Sequence, residues 1–127
     1  MNARLSARMI GSAFLVSTLA LPALAHHGWS WTQDGLFQIE GVIEEIYLGN
    51  PHATLDVEVE GEVWQVDLAP PRQTERAGLV EGSANVGDEV TAIGNRSRDE
   101  AERRMKAVRI IVGGKTYDVY PDRAPSN

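Results

Sequence analysis

Three histidines are the residues of this chain best suited to chemistry. His26 and His27 stand side by side, and His52 follows the dipeptide Asn50-Pro51. Imidazole is a frequent metal ligand, and planar coordination by nitrogen selects Cu²⁺ among the common divalent ions. An N-terminal histidine can bind one Cu²⁺ through its α-amine and its ring Nδ1, and a second histidine completes the three-nitrogen site called a histidine brace. Such a site requires that the functional chain begin at His26.

The segment before His26 predicts that the chain is cut there. Two arginines precede the apolar run Ile10 to Leu21, and Ala23-Leu24-Ala25 has the small-residue pattern that signal peptidase cleaves. The apolar run has 12 residues, whereas a membrane-spanning helix needs about 20. We therefore predict a signal peptide over residues 1–25, export to the periplasm, and a soluble protein with no membrane anchor after cleavage.

Two histidines compete for the place of the second ligand. Adjacent side chains of an extended chain point in opposite directions, so His52 is a better partner for His26 if the arm folds back. His27 is the alternative, and it would bind through its ring, the amine and the intervening amide. The sequence thus predicts His26, His52 and His27, in that order, as ligands of copper or a similar divalent ion. The interpretation without metal is a solvated tail and a turn histidine, since Asn-Pro-x before a strand is ordinary turn chemistry.

Composition and motifs argue against several other function classes. Without residues 1–25 the chain loses two of its 12 basic residues and none of its 18 acidic ones, which gives a net charge of −8. That charge disfavours a nucleic-acid partner. The sequence contains no Gly-x-Ser-x-Gly, phosphate-binding glycine loop, cysteine nucleophile or His-Glu-x-x-His motif. We predict a protein that is not an enzyme, with a copper oxidoreductase as the less favoured alternative.

Hydrophobic periodicity predicts a mainly β domain over residues 36–120, between an N-terminal arm (26–35) and a flexible tail (121–127). Within the first strand the apolar residues change face, and Gly41 is the predicted position of a bulge or a sharp bend. The order of elements matches a small OB-like Greek-key barrel of five to six strands with one short helix, and a six-stranded meander barrel is the alternative. The predicted strands are 36–48, 53–59, 63–68, 89–94, 105–112 and 115–120, and the helix is 71–77.

Two further groups of residues leave alternatives open. Trp29 and Trp31 either pin the N-terminal arm to the barrel or lie partly exposed. In a second hypothesis for function they bind a periplasmic protein or an envelope ligand, and metal has no role. A basic strip, defined as Arg103, Arg104, Lys106 and Arg109, either pairs with acidic residues or docks an anionic partner. The acidic residues of the 53–68 hairpin are most simply a solvated face.

Six short motifs extend over nearly the whole mature chain. They are His26-His27, Gly41-Val42-Ile43, Asn50-Pro51-His52, Trp64-Gln65-Val66-Asp67, Arg76-Ala77-Gly78 and Val86-Gly87-Asp88-Glu89-Val90. With these motifs the chain resembles an uncharacterised family of small exported bacterial proteins, the domain of unknown function 6152. The resemblance implies an exported, barrel-like domain and supplies no activity. The chain departs from the family in having Gly28 where a serine is frequent, and in lacking the usual Asp-Gly turn within residues 95–102.

Overall fold

Six strands and one α-helix follow one another in the predicted order. The computed structural model describes residues 28–127, so that His26, His27 and the predicted signal peptide lie outside the described residues. The elements are β1 (Phe37–Tyr47), β2 (Thr54–Val59), β3 (Glu62–Asp67), α1 (Pro71–Arg76), β4 (Glu89–Arg96), β5 (Arg104–Val112), β6 (Lys115–Asp118) and a 3-10 turn, η1 (Pro121–Arg123). Within this described part no helix has the length and apolar character needed to cross a membrane.

The first five strands close into a barrel, which confirms the predicted OB-like fold. β1 is antiparallel to both β2 and β4, β2 is antiparallel to β3, and β4 is antiparallel to β5. The barrel closes where the first residues of β5 run parallel to the last residues of β3, with Asp67 opposite Lys106. β6 is an extra strand that pairs with the second half of β5. The helix α1 lies between β3 and β4 in the chain, as in OB barrels.

The bulge in β1 lies three residues beyond the predicted position, so the prediction of a bulge at Gly41 is wrong. The register with β2 shifts between Ile43 and Glu45. Ile39 and Ile43 are both buried, and the inward face changes only after this point, where Ile46 packs against the core. Gly41 has a different role, because a Cβ atom there would lie 2.1 Å from the carbonyl oxygen of Glu58. Its missing side chain lets two strands approach closely.

All five barrel strands contribute to the core, and β5 contributes more buried residues than any other strand. Leu55, Val66, Met105 and Ile110 are fully buried, and each such side chain contributes about 1.5–3 kcal/mol when it is removed from water. β5 is buried along nearly its whole length, and it has paired neighbours on both sides, β4 on one and then β3 or β6 on the other. This burial extends to two cations of the basic strip, which therefore need partners.

The ends of the domain differ slightly from their predicted bounds. The last strand ends at Asp118 rather than at residue 120. The predicted tail, residues 121–127, begins with the 3-10 turn η1, whose backbone N–H groups at Arg123 and Ala124 donate to the carbonyl oxygen of Tyr120. This turn contacts the N-terminal arm, so the two ends of the described chain meet.

Candidate metal site and N-terminal arm

His52 lies in the loop that joins β1 to β2, and its backbone neighbours fix that loop. The N–H of Ala53 donates to the carbonyl oxygen of Ala69, and the N–H of Leu68 donates to the carbonyl oxygen of Ala53. The imidazole is half-buried, with Nδ1 3.2 Å from that same Ala53 oxygen. When Nδ1 carries the proton and donates it there, Nε2 keeps the lone pair that a metal requires.

A small polar cavity of about 110 Å³ joins His52 to the start of the described chain. It brings together the β1–β2 loop, the end of β3, the start of β5 and the arm. The loop between the first two strands is also one of the usual ligand-binding regions of OB barrels. The cavity is lined by Gly28, Pro51, His52, Asp67, Leu68, Pro70, Lys106 and Tyr120.

Lys106 holds the first described residues of the arm. Its side-chain Nζ donates a hydrogen bond of 2.8 Å to the carbonyl oxygen of Gly28. The same nitrogen lies 4.6 Å from the ring centroid of Trp29 and 5.4 Å from that of Tyr120, within the range of cation–π attraction. Burial lowers the pKa of Lys106, and the nearby carboxylate of Asp67 opposes that shift.

Trp29 is packed from three sides. Besides Lys106, the guanidinium of Arg123 lies 4.2 Å from its ring centroid. Tyr120 meets the indole edge-on, with 4.9 Å between ring centroids. The geometry therefore favours the pinning interpretation of Trp29 over an exposed binding surface.

The arm continues along the ends of β4 and β5. Arg104 lies 4.9 Å from the ring centroid of Trp31, and Thr32 forms a β-bridge with Ser97. The N–H of Gln33 donates to the carbonyl oxygen of Arg96 at 2.7 Å. Trp31 is half-buried, so it too packs against the barrel.

The basic strip pairs with groups of its own chain. Arg103 binds Glu62 at 2.6 Å, Arg104 binds Asp67 at 2.7 Å, and Arg109 binds Asp118 at 2.6 Å. Lys106 binds the arm, as described above. Of the two alternatives that the sequence leaves open for this strip, the contacts favour pairing over the docking of an anionic partner.

Asp67 is a poor candidate for a metal ligand although it lines the cavity. Its Oδ1 accepts from the Gln65 amide at 3.0 Å and its Oδ2 accepts from Arg104. Within residues 28–127, no three His, Cys, Asp or Glu side chains converge as a metal site would require. His52 is thus the one predicted ligand that falls in the described part of the chain.

Sequence reasoning did not assign Lys106 or Tyr120 to this region. A signal for Lys106 was present, since it is a charged residue near the start of a mainly apolar strand, Met105 to Val112. A cation at such a position is buried and must find a partner. Tyr120 carries no comparable signal, because it is predicted as the last residue of the final strand, 115–120, where an aromatic residue is common.

Comparison with known proteins gives a family and no activity. A family model described as Family of unknown function (DUF6152) matches residues 13–106. The matched range contains the three histidines and ends at Lys106. No curated protein matches the chain.

Proposed function

This chain belongs to a family of unknown function, DUF6152, and we propose that it is an exported periplasmic protein that binds copper or a similar divalent ion in metal handling. The first two ligands are the α-amine and ring of His26 after removal of the signal peptide. The third is the ring of His52, and His27 is the alternative to it. The observation that carries the proposal is that Gly28 and His52 line the same small cavity.

The length of the chain between the two histidines supports this assignment. His26 precedes Gly28 by two residues, and two residues span at most about 7 Å. Gly28 is held at the cavity by Lys106, so a segment of that length can bring the α-amine of a chain that begins at His26 to the cavity that His52 lines. His27 directly precedes Gly28, so it is closer to the cavity along the chain than His26 and remains the alternative ligand.

The chemistry of the cavity favours Cu²⁺ over hard cations. Ca²⁺ and Mg²⁺ require several oxygen ligands, and both oxygens of the cavity carboxylate, Asp67, are already engaged. Lys106 also lines the cavity. Its ammonium charge repels cations, which disfavours ions that would be bound by charge alone. Neutral nitrogen ligands bind Cu²⁺ most strongly among the first-row divalent ions up to zinc.

A Cu²⁺ competition titration tests the proposal on two proteins, one that begins at His26 and one with a single extra alanine in front. We expect tight one-to-one binding by the first and at least tenfold weaker binding by the second, because the extension removes the α-amine from the chelate. His52→Ala, in the protein that begins at His26, should also weaken binding by at least tenfold.

Thermal unfolding of each variant serves as the control for folding, and Ca²⁺ in excess should not displace the copper. Weak binding that is indifferent to the extra alanine would exclude the α-amine as a ligand. Affinity unchanged in His52→Ala would remove His52 from the site and leave His27 as the second histidine.

A further inference from the structure

We propose that Lys106 is a positioning residue for the metal site, which clamps the N-terminal arm to the barrel and thereby delivers the new N-terminus to His52. This inference rests on the proposed function, and Lys106 itself is not a ligand. The clamp consists of Lys106, Arg123 and Tyr120, which together hold Gly28 and Trp29.

The contacts of Lys106 are those of a buried group committed to the arm. Its residue surface is 9% exposed, and its neighbours Met105 and Ala107 are fully buried. A buried ammonium group is costly unless it is paired, and the carbonyl oxygen of Gly28 and the face of Trp29 supply that pairing. The energy that stabilises the buried cation is therefore the same energy that fixes the arm.

The second half of the clamp comes from the opposite end of the chain. Arg123, in η1, lies 4.2 Å from the Trp29 ring centroid, and Tyr120 lies edge-on to the same ring at 4.9 Å. The next attachment of the arm, the contact of Trp31 with Arg104, comes three residues after Gly28. The clamp is thus the attachment nearest to the predicted N-terminus in the described part of the chain.

Loss of the clamp should have a calculable effect on binding. When both Gly28 and Trp29 are released, Trp31 becomes the nearest attachment, and the free segment between it and His26 grows from two residues to five. The effective concentration of a tethered group falls roughly as the −3/2 power of tether length, which here gives a decrease of about fourfold. Copper affinity should decrease by the same factor, since the α-amine must find His52 from a larger volume.

The test is a cycle of four proteins, namely the natural chain and Lys106→Met, each with and without the extra alanine before His26, measured by Cu²⁺ competition. Lys106→Met keeps the aliphatic stem and removes the charge and the donor. Removal of the ammonium charge from the cavity acts equally in both backgrounds. Beyond that shared change, we expect an additional loss of affinity of up to about fourfold in the chain that begins at His26 and none in the extended chain, whose amine is already displaced. Lys115→Met, at an exposed lysine of β6, is the matched control and should change neither.

A purely structural role for Lys106 predicts something else, namely the same change of affinity in both backgrounds. That result would overturn the proposal. Trp29→Leu is a second variant, which removes the clamped ring without altering β5. It should reproduce the additional loss in the chain that begins at His26 even if Lys106→Met folds poorly.

A measurement without metal separates this inference from the proposed function. Backbone ¹⁵N relaxation of Trp29 should give an order parameter near 0.85 in the natural chain and below about 0.6 in Lys106→Met, the values of rigid and flexible backbone. If the natural chain binds no copper but the order parameter decreases as expected, the proposed function fails and the clamp stands. If copper binds tightly and Trp29 stays equally rigid, the clamp alone fails.

Discussion

Two glycines show how single residues shape this barrel. A Cβ atom at Gly41 would lie 2.1 Å from the carbonyl oxygen of Glu58, and one at Gly94 would lie 2.1 Å from the carbonyl oxygen of Lys106. In both places the backbone of a neighbouring strand occupies the space of a side chain, and backbone cannot rotate away. The missing side chain of Gly94 also lets β4 lie close to the backbone of Lys106, the residue proposed to hold the arm.

Gly41→Ala should therefore destabilise the protein. Overpacking of a tight contact costs about 1–3 kcal/mol, and we expect a decrease of that size in the free energy of unfolding, measured by urea denaturation. Glu40→Ala, at the exposed neighbouring position, is the control and should stay within about 0.5 kcal/mol. Equal stability of the two variants would show that β1 and β2 can separate at little cost.

At the level of elements, ion pairs link neighbouring strands of the sheet, both strands that are far apart in sequence and strands that are consecutive. Arg103 precedes β5 and pairs with Glu62 at the start of β3, while Arg109 in β5 pairs with Asp118 in β6. The pKa of Glu62 lies below its usual value, first because Arg103 donates a hydrogen bond to it and then because of the charge of Arg103. The hydrogen bond that Arg109 donates to Asp118 likewise raises the pKa of Arg109.

The shift at Glu62 predicts a pH dependence of stability. Because its folded pKa is below the ordinary value of 4.5, the pair stabilises the fold above that pH, and the contribution is lost as pH falls through the folded pKa. Glu62→Gln should thus have a slightly lower urea midpoint than the natural chain at pH 7, and the difference should become smaller at an acidic pH, as the carboxylate is protonated.

The pair is exposed, so we expect a small effect. Glu45→Gln, at an exposed carboxylate of β1, serves as the control and should show no comparable change between the two pH values. A difference for Glu62→Gln that is the same at both pH values would mean that its ionisation is not the cause.

For the molecule as a whole, the closure of the barrel and the candidate site share one set of residues. β3 and β5 meet along only three residue pairs, the last of which is Asp67 with Lys106. Asp67 is 2% exposed and binds Arg104, whose guanidinium lies over Trp31. The seam of the barrel, by which we mean the pairing of β3 with β5 that closes it, thus also supports the arm.

Asp67→Asn should weaken this seam. Removal of one partner of a buried ion pair destabilises by about 3–5 kcal/mol, and we expect about 2–3 kcal/mol here because the amide oxygen still accepts a hydrogen bond. Urea denaturation measures the loss, and Asp56→Asn on β2, which is half-buried, is the control. A free energy of unfolding unchanged in Asp67→Asn would mean that apolar packing alone closes the barrel.

Local patterns made the order of the elements predictable. Alternation within a strand, Pro71 at the start of the helix, and the turns at Glu60-Gly61 and Gly113-Gly114 each act over a few residues. The observed bounds of all six strands and of α1 accordingly lie within two residues of those predicted. The position of the bulge in β1 was not predictable in this way, because it depends on how Ile43 and Glu45 meet β2.

The sequence by itself determined the barrel, the acidic balance and the identity of the three histidines, since these follow from composition and short-range pattern. Only the tertiary structure decided what surrounds His52 and which partners the basic strip takes. The hydrogen bond from Lys106 to Gly28 joins residues 78 positions apart, and the Arg104–Asp67 pair joins residues 37 apart. Such contacts depend on how the strands close into a barrel, and no periodicity within a single strand encodes which distant residue will lie opposite.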